Sequence, residues 1–136
     1  MPTRRTVLVV YADATDRAQT VDLLEASGYD VIAAANFEEA KQLLASEDPD
    51  LLITDLRLGS YNGLHLVLRS RTDHPAMAAL VTSRFPDPVL EAEAAREHAR
   101  FILRPIADHE LLEAITTMLA ANNGAAQNNP PAPDLC

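Results

Sequence analysis

The sequence predicts an α/β fold: a doubly wound, five-stranded parallel sheet covered by five helices. Three observations carry this expectation. Short β-branched apolar runs alternate along the chain with stretches whose apolar residues recur at helical spacing. Runs such as Thr6-Val7-Leu8-Val9-Val10 are apolar throughout, as strands buried on both faces are. The connections between runs are short, so successive strand–helix units return in one direction by right-handed crossovers.

The elements follow in order. The first strand is Thr6 to Val10, and the stretch Thr15 to Ala26 carries Ala18, Val21, Leu23 and Leu24 at helical spacing. Ser27-Gly28 ends that helix, with Gly28 suited to a left-handed C-cap. Tyr29 to Ala34 is the second strand. Asn36 followed by Glu39 reads as a capping box ahead of the stripe Phe37, Ala40, Leu43 and Leu44. Asp50 to Thr54 is the third strand, and Gly63 to Ser70 has a helical pattern through Leu64, Val67 and Leu68. Ala79 to Thr82 is the fourth strand, and a helix over Val89 to His98 begins after Pro88. Phe101-Ile102-Leu103 is the fifth strand. Asp108 caps a last helix through Ala121, with Leu111, Leu112, Ile115, Met118 and Leu119 along one face.

Length and composition bound the rest. A chain of 136 residues has room for one ordinary domain, placed at residues 1–121, and buries roughly two-thirds of its unfolded surface. Residues 122–136 hold Asn, Gly, Gln and Pro without periodicity and are expected to be a disordered tail or linker stub. With 20 Asp+Glu against 11 Lys+Arg, the net charge of −9 disfavours direct nucleic-acid binding and a polybasic membrane anchor. Apolar runs fall far short of the roughly 20 residues of a membrane span, and Val7 to Tyr11 is too short for a signal-peptide core. The one cysteine, Cys136, forms no disulfide within the chain. A soluble, cytoplasmic protein is expected.

In doubly wound sheets ligands sit at the carboxyl ends of the strands. Those positions hold Tyr11-Ala12-Asp13, Asp55, Thr82-Ser83 and Arg104-Pro105, and Asp55 is the one carboxylate that follows its strand directly. In this order the residues resemble the receiver domain of bacterial two-component response regulators, over residues 6–121. Asp55 closes the third strand in Leu52-Ile53-Thr54-Asp55-Leu56-Arg57-Leu58, and Asn62-Gly63 stands where the family usually has Asp-Gly. Thr82 ends the fourth strand, and Arg104-Pro105 stands where the family has Lys-Pro.

The resemblance implies the flavodoxin-like receiver fold and a mechanism. A receiver accepts a phosphoryl group from a kinase phosphohistidine onto the aspartate, here Asp55, while the threonine, here Thr82, and the lysine, here Arg104, grip the phosphoryl oxygens. Magnesium is held by two acids after the first strand, by the aspartate, and by a backbone carbonyl two residues on, which is that of Arg57. Phe101 matches the family's switch aromatic, with simple packing as its other reading. Arg84, Phe85, His98, Arg100 and Phe101 form a candidate contact patch, and a cis peptide precedes Pro105 in relatives. The implied partners are a sensor histidine kinase or another signalling protein, and a second copy through the face of the fourth helix, fifth strand and fifth helix.

Two departures alter these expectations. Tyr11 and Ala12 occupy the positions of the acidic pair, and a phenol and a methyl do not replace carboxylates as ligands of a hard cation. The candidate magnesium ligands reduce to Asp13, Asp55 and the Arg57 carbonyl. Asp13 has a second reading, as the cap of the first helix, and Asp16 is expected to face solvent. Arginine for lysine at position 104 substitutes a planar, bidentate cation for a point charge. It either pairs with Asp55, partly replacing the charge of a metal, or swings into solvent. His65, His74, His98 and His109 have no metal-ligand spacing and are expected to be exposed.

The functional expectation is an atypical receiver that acts by protein–protein interaction, with weak or absent magnesium-dependent phosphorylation at Asp55. The alternative is a conventional acceptor phosphorylated there by a histidine kinase. An enzyme is not expected. The second aspartate of haloacid-dehalogenase-like hydrolases is replaced by Arg57, and neither G-x-G-x-x-G nor G-x-x-x-x-G-K-[ST] occurs.

Overall fold

A computed structural model describes the backbone of residues 4–128 and the side chains of residues 4–121. The elements are β1 (Thr6–Val10), α1 (Ala14–Ala26), β2 (Asp30–Ala34), α2 (Phe37–Ser46), β3 (Leu51–Asp55), β4 (Arg57–Leu58), β5 (Tyr61–Asn62), α3 (Gly63–Asp73), β6 (Ala78–Ser83), α4 (Pro88–Arg96), β7 (Arg100–Leu103) and α5 (Asp108–Asn128). The main sheet has the order β2-β1-β3-β6-β7, all parallel. This is the five-stranded doubly wound fold expected from the sequence, with β3 central and the chain reversing direction across the sheet between β2 and β3.

Strand periodicity divides the core into two layers. Leu8, Val10, Leu52, Ala79 and Val81 project to one face and pack with Phe37, Ala40, Leu44, Leu64, Val67 and Ala94 from α2, α3 and α4. Val7, Val9, Leu51, Ile53 and Leu80 project to the other and meet Leu24 of α1 with Leu111, Ile115 and Leu119 of α5. Each fully buried aliphatic side chain contributes roughly 1.5–3 kcal/mol, so β1, β3 and β6, buried on both faces, anchor the domain.

Local chemistry sets the helix ends. Asp13, Asn36, Asn62 and Asp87 each accept a hydrogen bond from the amide three residues on, capping α1, α2, α3 and α4. Glu39 reaches back to the amide of Ala35 at 2.8 Å, closing the expected box one residue upstream of the cap. α1 ends in a Schellman turn: the amides of Gly28 and Tyr29 bond Glu25 and Leu24 carbonyls, with Gly28 at φ +97°. α4 ends in the same way at His98, φ 59°, so the helix stops at Arg96, short of the expected end at His98. A non-glycine residue in the left-handed region costs roughly 1–2 kcal/mol, and the two bonds of the turn offset it.

Two features differ from the sequence expectation. β4 and β5 form an antiparallel two-stranded hairpin between β3 and α3, too short to register as alternation. α5 continues to Asn128, beyond Ala121, because Ala125, Ala126 and Gln127 sustain a helix after the apolar stripe has ended. The tail placed at residues 122–136 therefore begins with helix, and residues 129–136 lie outside the described residues.

Gly63 opens α3 tightly against the end of β3. A Cβ there would stand 2.7 Å from Thr54 Cγ2 and 2.8 Å from Thr54 Oγ1, and closer still to the Asp55 carbonyl oxygen. Gly63→Ala is expected to destabilise the domain by about 1–3 kcal/mol in urea unfolding, the usual cost of overpacking; an unchanged midpoint would show that α3 is not seated on β3 in this way.

Candidate functional site

The carboxyl ends of β1, β3, β6 and β7 bring Tyr11, Asp55, Thr82 and Arg104 together, with α1 crossing beside them. Asp55 is the last residue of β3, and its side chain is 20% exposed. One carboxylate oxygen accepts a long hydrogen bond of 3.5 Å from the Arg57 amide. The other lies 3.4 Å from Arg104 Nη2. Leu56 N–H bonds the Thr82 carbonyl at 2.7 Å, so the backbone around the acid is pinned to β6.

Tyr11 follows β1 and is 2% exposed. Burial of a tyrosine requires a partner for its hydroxyl, and here that partner is Thr82 Oγ1 at 3.0 Å. The hydroxyl at the end of β6 is thereby engaged by the residue standing at an acidic position of the family pattern. The ring of Tyr11 also supports Arg104, whose guanidinium carbon lies 4.7 Å from its centroid.

Arg104 does not swing into solvent. Its Nη1 binds Asp16 Oδ2 at 2.9 Å, while Nη2 faces Asp55. Asp16 in turn accepts from Arg84 Nη2 with both oxygens at 2.9 Å. Asp55, Arg104, Asp16 and Arg84 thus form a chain of alternating charge across the strand ends. The expectation that Asp16 faces solvent is corrected: its side chain is 16% exposed and held by two guanidinium groups. The Asp13 cap, with its carboxylate 2.8 Å from the Asp16 amide, places that side chain.

The charge states follow from the geometry. Burial pushes the Asp55 carboxyl above the usual range, against the opposing pull of Arg104 and of the Arg57 and Leu56 amides. Burial acts the same way on Asp16, but hydrogen bonds from Arg104 and Arg84 outweigh it and hold Asp16 below its ordinary value. Burial also raises the Tyr11 phenol, so its hydroxyl stays protonated and able to donate.

A cavity of about 290 Å³ opens over the acid, bounded by Ala12, Asp13, Asp55, Arg57, Arg84 and Arg104. Among the described residues no three His, Cys, Asp or Glu side chains stand close enough to hold a metal ion together. Arg57 begins β4 with its side chain exposed. Of the other residues singled out from sequence, Phe101 lies on β7, partly buried against the α2–α3–α4 layer. Arg84, in the connection after β6, is half exposed and turns its guanidinium to Asp16 in the site. Phe85, 67% exposed, lies at the cavity mouth beside it. The Arg104–Pro105 peptide is cis. Sequence reasoning missed Asp16 and the bonding role of Tyr11. A buried strand-end tyrosine was the one available signal, since partners at positions 82, 84 and 104 are distant in sequence.

An acid at the tip of the central parallel strand, flanked by a strand-end hydroxyl and a cation followed by cis-proline, defines the receiver class of signalling domains. The chain belongs to the response regulator receiver domain family of two-component systems, whose sequence profile matches residues 7–116. It is 30% identical over 125 residues to a probable transcriptional regulator ycf27 of Porphyridium aerugineum, covering 90% of this chain and 51% of that protein. It is 28% identical over 123 residues to the transcriptional regulatory protein CpxR of Escherichia coli K12, covering 89% and 52%. The chain thus spans about half the length of these relatives. A CheY-like receiver from Methanospirillum hungatei JF-1 superposes with a TM-score of 0.86 at 23% identity, covering 90% of this chain and 98% of that one. The signal receiver domain of an HD domain-containing protein from Pseudomonas fluorescens Pf-5 gives 0.84 at 28%, covering 90% and 99%. Receiver domains interact with histidine kinases and other signalling proteins and generally use Mg²⁺ at the phosphorylation site. No helix among the described residues is long and apolar enough to cross a membrane.

Removing the Asp16 charge tests the alternating chain. Asp16→Asn is expected to cost about 1.5–3 kcal/mol at neutral pH, the range of a hydrogen bond to a charged group. Because the native Asp16 value is depressed, its contribution is complete above the ordinary carboxyl value of about 3.9 and is lost as pH falls through the native value. The stability gap between wild type and variant, followed by urea unfolding, should therefore close only in acid.

Proposed function

We propose that this chain is an atypical receiver that works chiefly as a protein-interaction module, with weak or absent magnesium-dependent phosphorylation at Asp55. The observation that carries this reading is the guanidinium of Arg104 lying between Asp16 and Asp55 while Tyr11 engages the Thr82 hydroxyl. In this reading Asp55 holds the acceptor position, and Thr82 and Arg104 hold the positions that would grip a phosphoryl group. The donor set does not fit a hard divalent cation, which takes oxygen ligands, usually carboxylates. A buried phenol and a methyl replace two of them, and Asp13 is occupied as the cap of α1. Asp13, Asp55 and the Arg57 carbonyl alone make a poor magnesium site. Without a metal to neutralise charge building on the transferred group, phosphoryl transfer is slow.

The partner is a sensor histidine kinase or another signalling protein, and a second copy would dock through the α4–β7–α5 face, where β7 carries Phe101. The net charge of −9 speaks against direct nucleic-acid contact by this domain. No enzymatic activity and a cytoplasmic location complete the reading.

A conventional acceptor is the second reading, favoured by the cavity over Asp55, which leaves the carboxylate approachable. Incubation with acetyl phosphate and Mg²⁺, followed by intact mass measurement, separates the two. The atypical reading expects no substantial phosphoryl adduct. A stoichiometric adduct that appears only with Mg²⁺ and vanishes in Asp55→Asn would establish the conventional one.

A further inference from the structure

The pole of the sheet opposite Asp55 holds a histidine in an arrangement that the receiver reading does not use. His74, at the C-cap of α3, has a side chain only 8% exposed, which corrects the expectation of solvent exposure. Its Nε2 lies 2.7 Å from the carbonyl oxygen of Leu44, in the last turn of α2. Its Nδ1 lies 2.9 Å from Asp48 Oδ1, in the connection from α2 to β3.

Both partners are acceptors and nothing else. A carbonyl oxygen carries no proton, and an ionised carboxylate carries none either. A neutral imidazole has one N–H, so it satisfies one partner and turns a lone pair on the other. Only the imidazolium donates to both. The Leu44 carbonyl is one of the last four of its helix, which have no acceptor duty within the helix, and a cation beside it also complements the negative end of the helix dipole.

We propose that His74 is a proton-operated clasp: in its cationic form it fastens the C-terminal end of α2 and the α2–β3 connection to the turn between α3 and β6, and on losing its proton it releases one of the two.

The charged groups acting on the ring are Asp48 from the α2–β3 connection and Asp73 beside it on α3. Both favour the cation. Arg71, one turn earlier on α3, is directed elsewhere, to the carbonyls of Met77, Glu97 and His98. Burial opposes the charge, but the Leu44 carbonyl and Asp48 outweigh it and raise the ring above its ordinary value. A histidine raised in the native state contributes stability that is complete below its unfolded value of about 6.5 and is lost as pH rises through the native value. The clasp is therefore closed below the ordinary histidine value of about 6.5 and opens as pH rises through the elevated native value.

The test is a nitrogen-15 NMR titration of the ring in the full chain, paired with urea unfolding at about pH 6 and about pH 9 in wild type, His74→Gln and Asp48→Asn. At the lower pH both ring nitrogens should carry protons, and the midpoint should lie above about 6.5. Wild type should lose folding equilibrium relative to His74→Gln on going to the higher pH, by about tenfold for each unit of midpoint elevation. Asp48→Asn keeps the ring and the Leu44 contact, and should lower the midpoint even if His74→Gln fails to fold. A single protonated nitrogen at the lower pH, a midpoint at or below about 6.5, or a midpoint unmoved in Asp48→Asn would overturn the clasp. None of these readouts depends on whether Asp55 accepts a phosphoryl group.

Discussion

The site is organised by one guanidinium. Arg104 leaves the edge strand β7 and lies across Tyr11, with one nitrogen on Asp16 and the other facing Asp55. At about 4 Å and an effective dielectric near 20, one such pair is worth roughly 4 kcal/mol of gross attraction, less the cost of taking the charges out of water. Without that cation, Asp16 and Asp55 would repel each other across a half-buried pocket. With it, α1, β3 and β7 are joined at the strand ends, and Arg84 extends the linkage to the connection after β6. Tyr11 completes the seat from below and engages Thr82 from the side, so one residue changes both the cation and the hydroxyl of the family pattern.

The scaffold was legible because its physics is local. Unbroken apolar runs at Val7–Val10 and Leu51–Ile53 indicate strands buried on two faces, and residues such as Asn36, Pro88 and Gly28 mark helix ends by their own side-chain and backbone chemistry. The hairpin of Arg57–Leu58 with Tyr61–Asn62 was not legible, since two residues per strand show no period. The extension of α5 was hidden by Asn and Gly among its alanines.

Within the site, Asp55, Thr82 and Arg104 could be placed because each stands at or just past the end of a strand, and the topology gathers strand ends at one edge. Asp16 could not. Its role depends on Arg84 and Arg104, 68 and 88 residues away, and on the Asp13 cap that orients it. Tyr11 read in sequence as a lost ligand, and only its burial against Thr82 and Arg104 gives it a constructive part. His74 was missed for a related reason: its partners, Leu44 and Asp48, come from a different helix and loop. Chemistry that depends on one strand end is written locally, whereas chemistry shared between elements waits for the fold.

The central claim is that Arg104 is the resident cation of the pocket, fixed on two carboxylates. The most direct measurement is the nitrogen-15 spectrum of its guanidinium in the wild-type domain. A fixed group gives separate, slowly exchanging Nη1 and Nη2 resonances that merge when Asp16 is replaced by asparagine. A single averaged resonance in the wild type, of the kind given by an arginine rotating in solvent, would contradict the account.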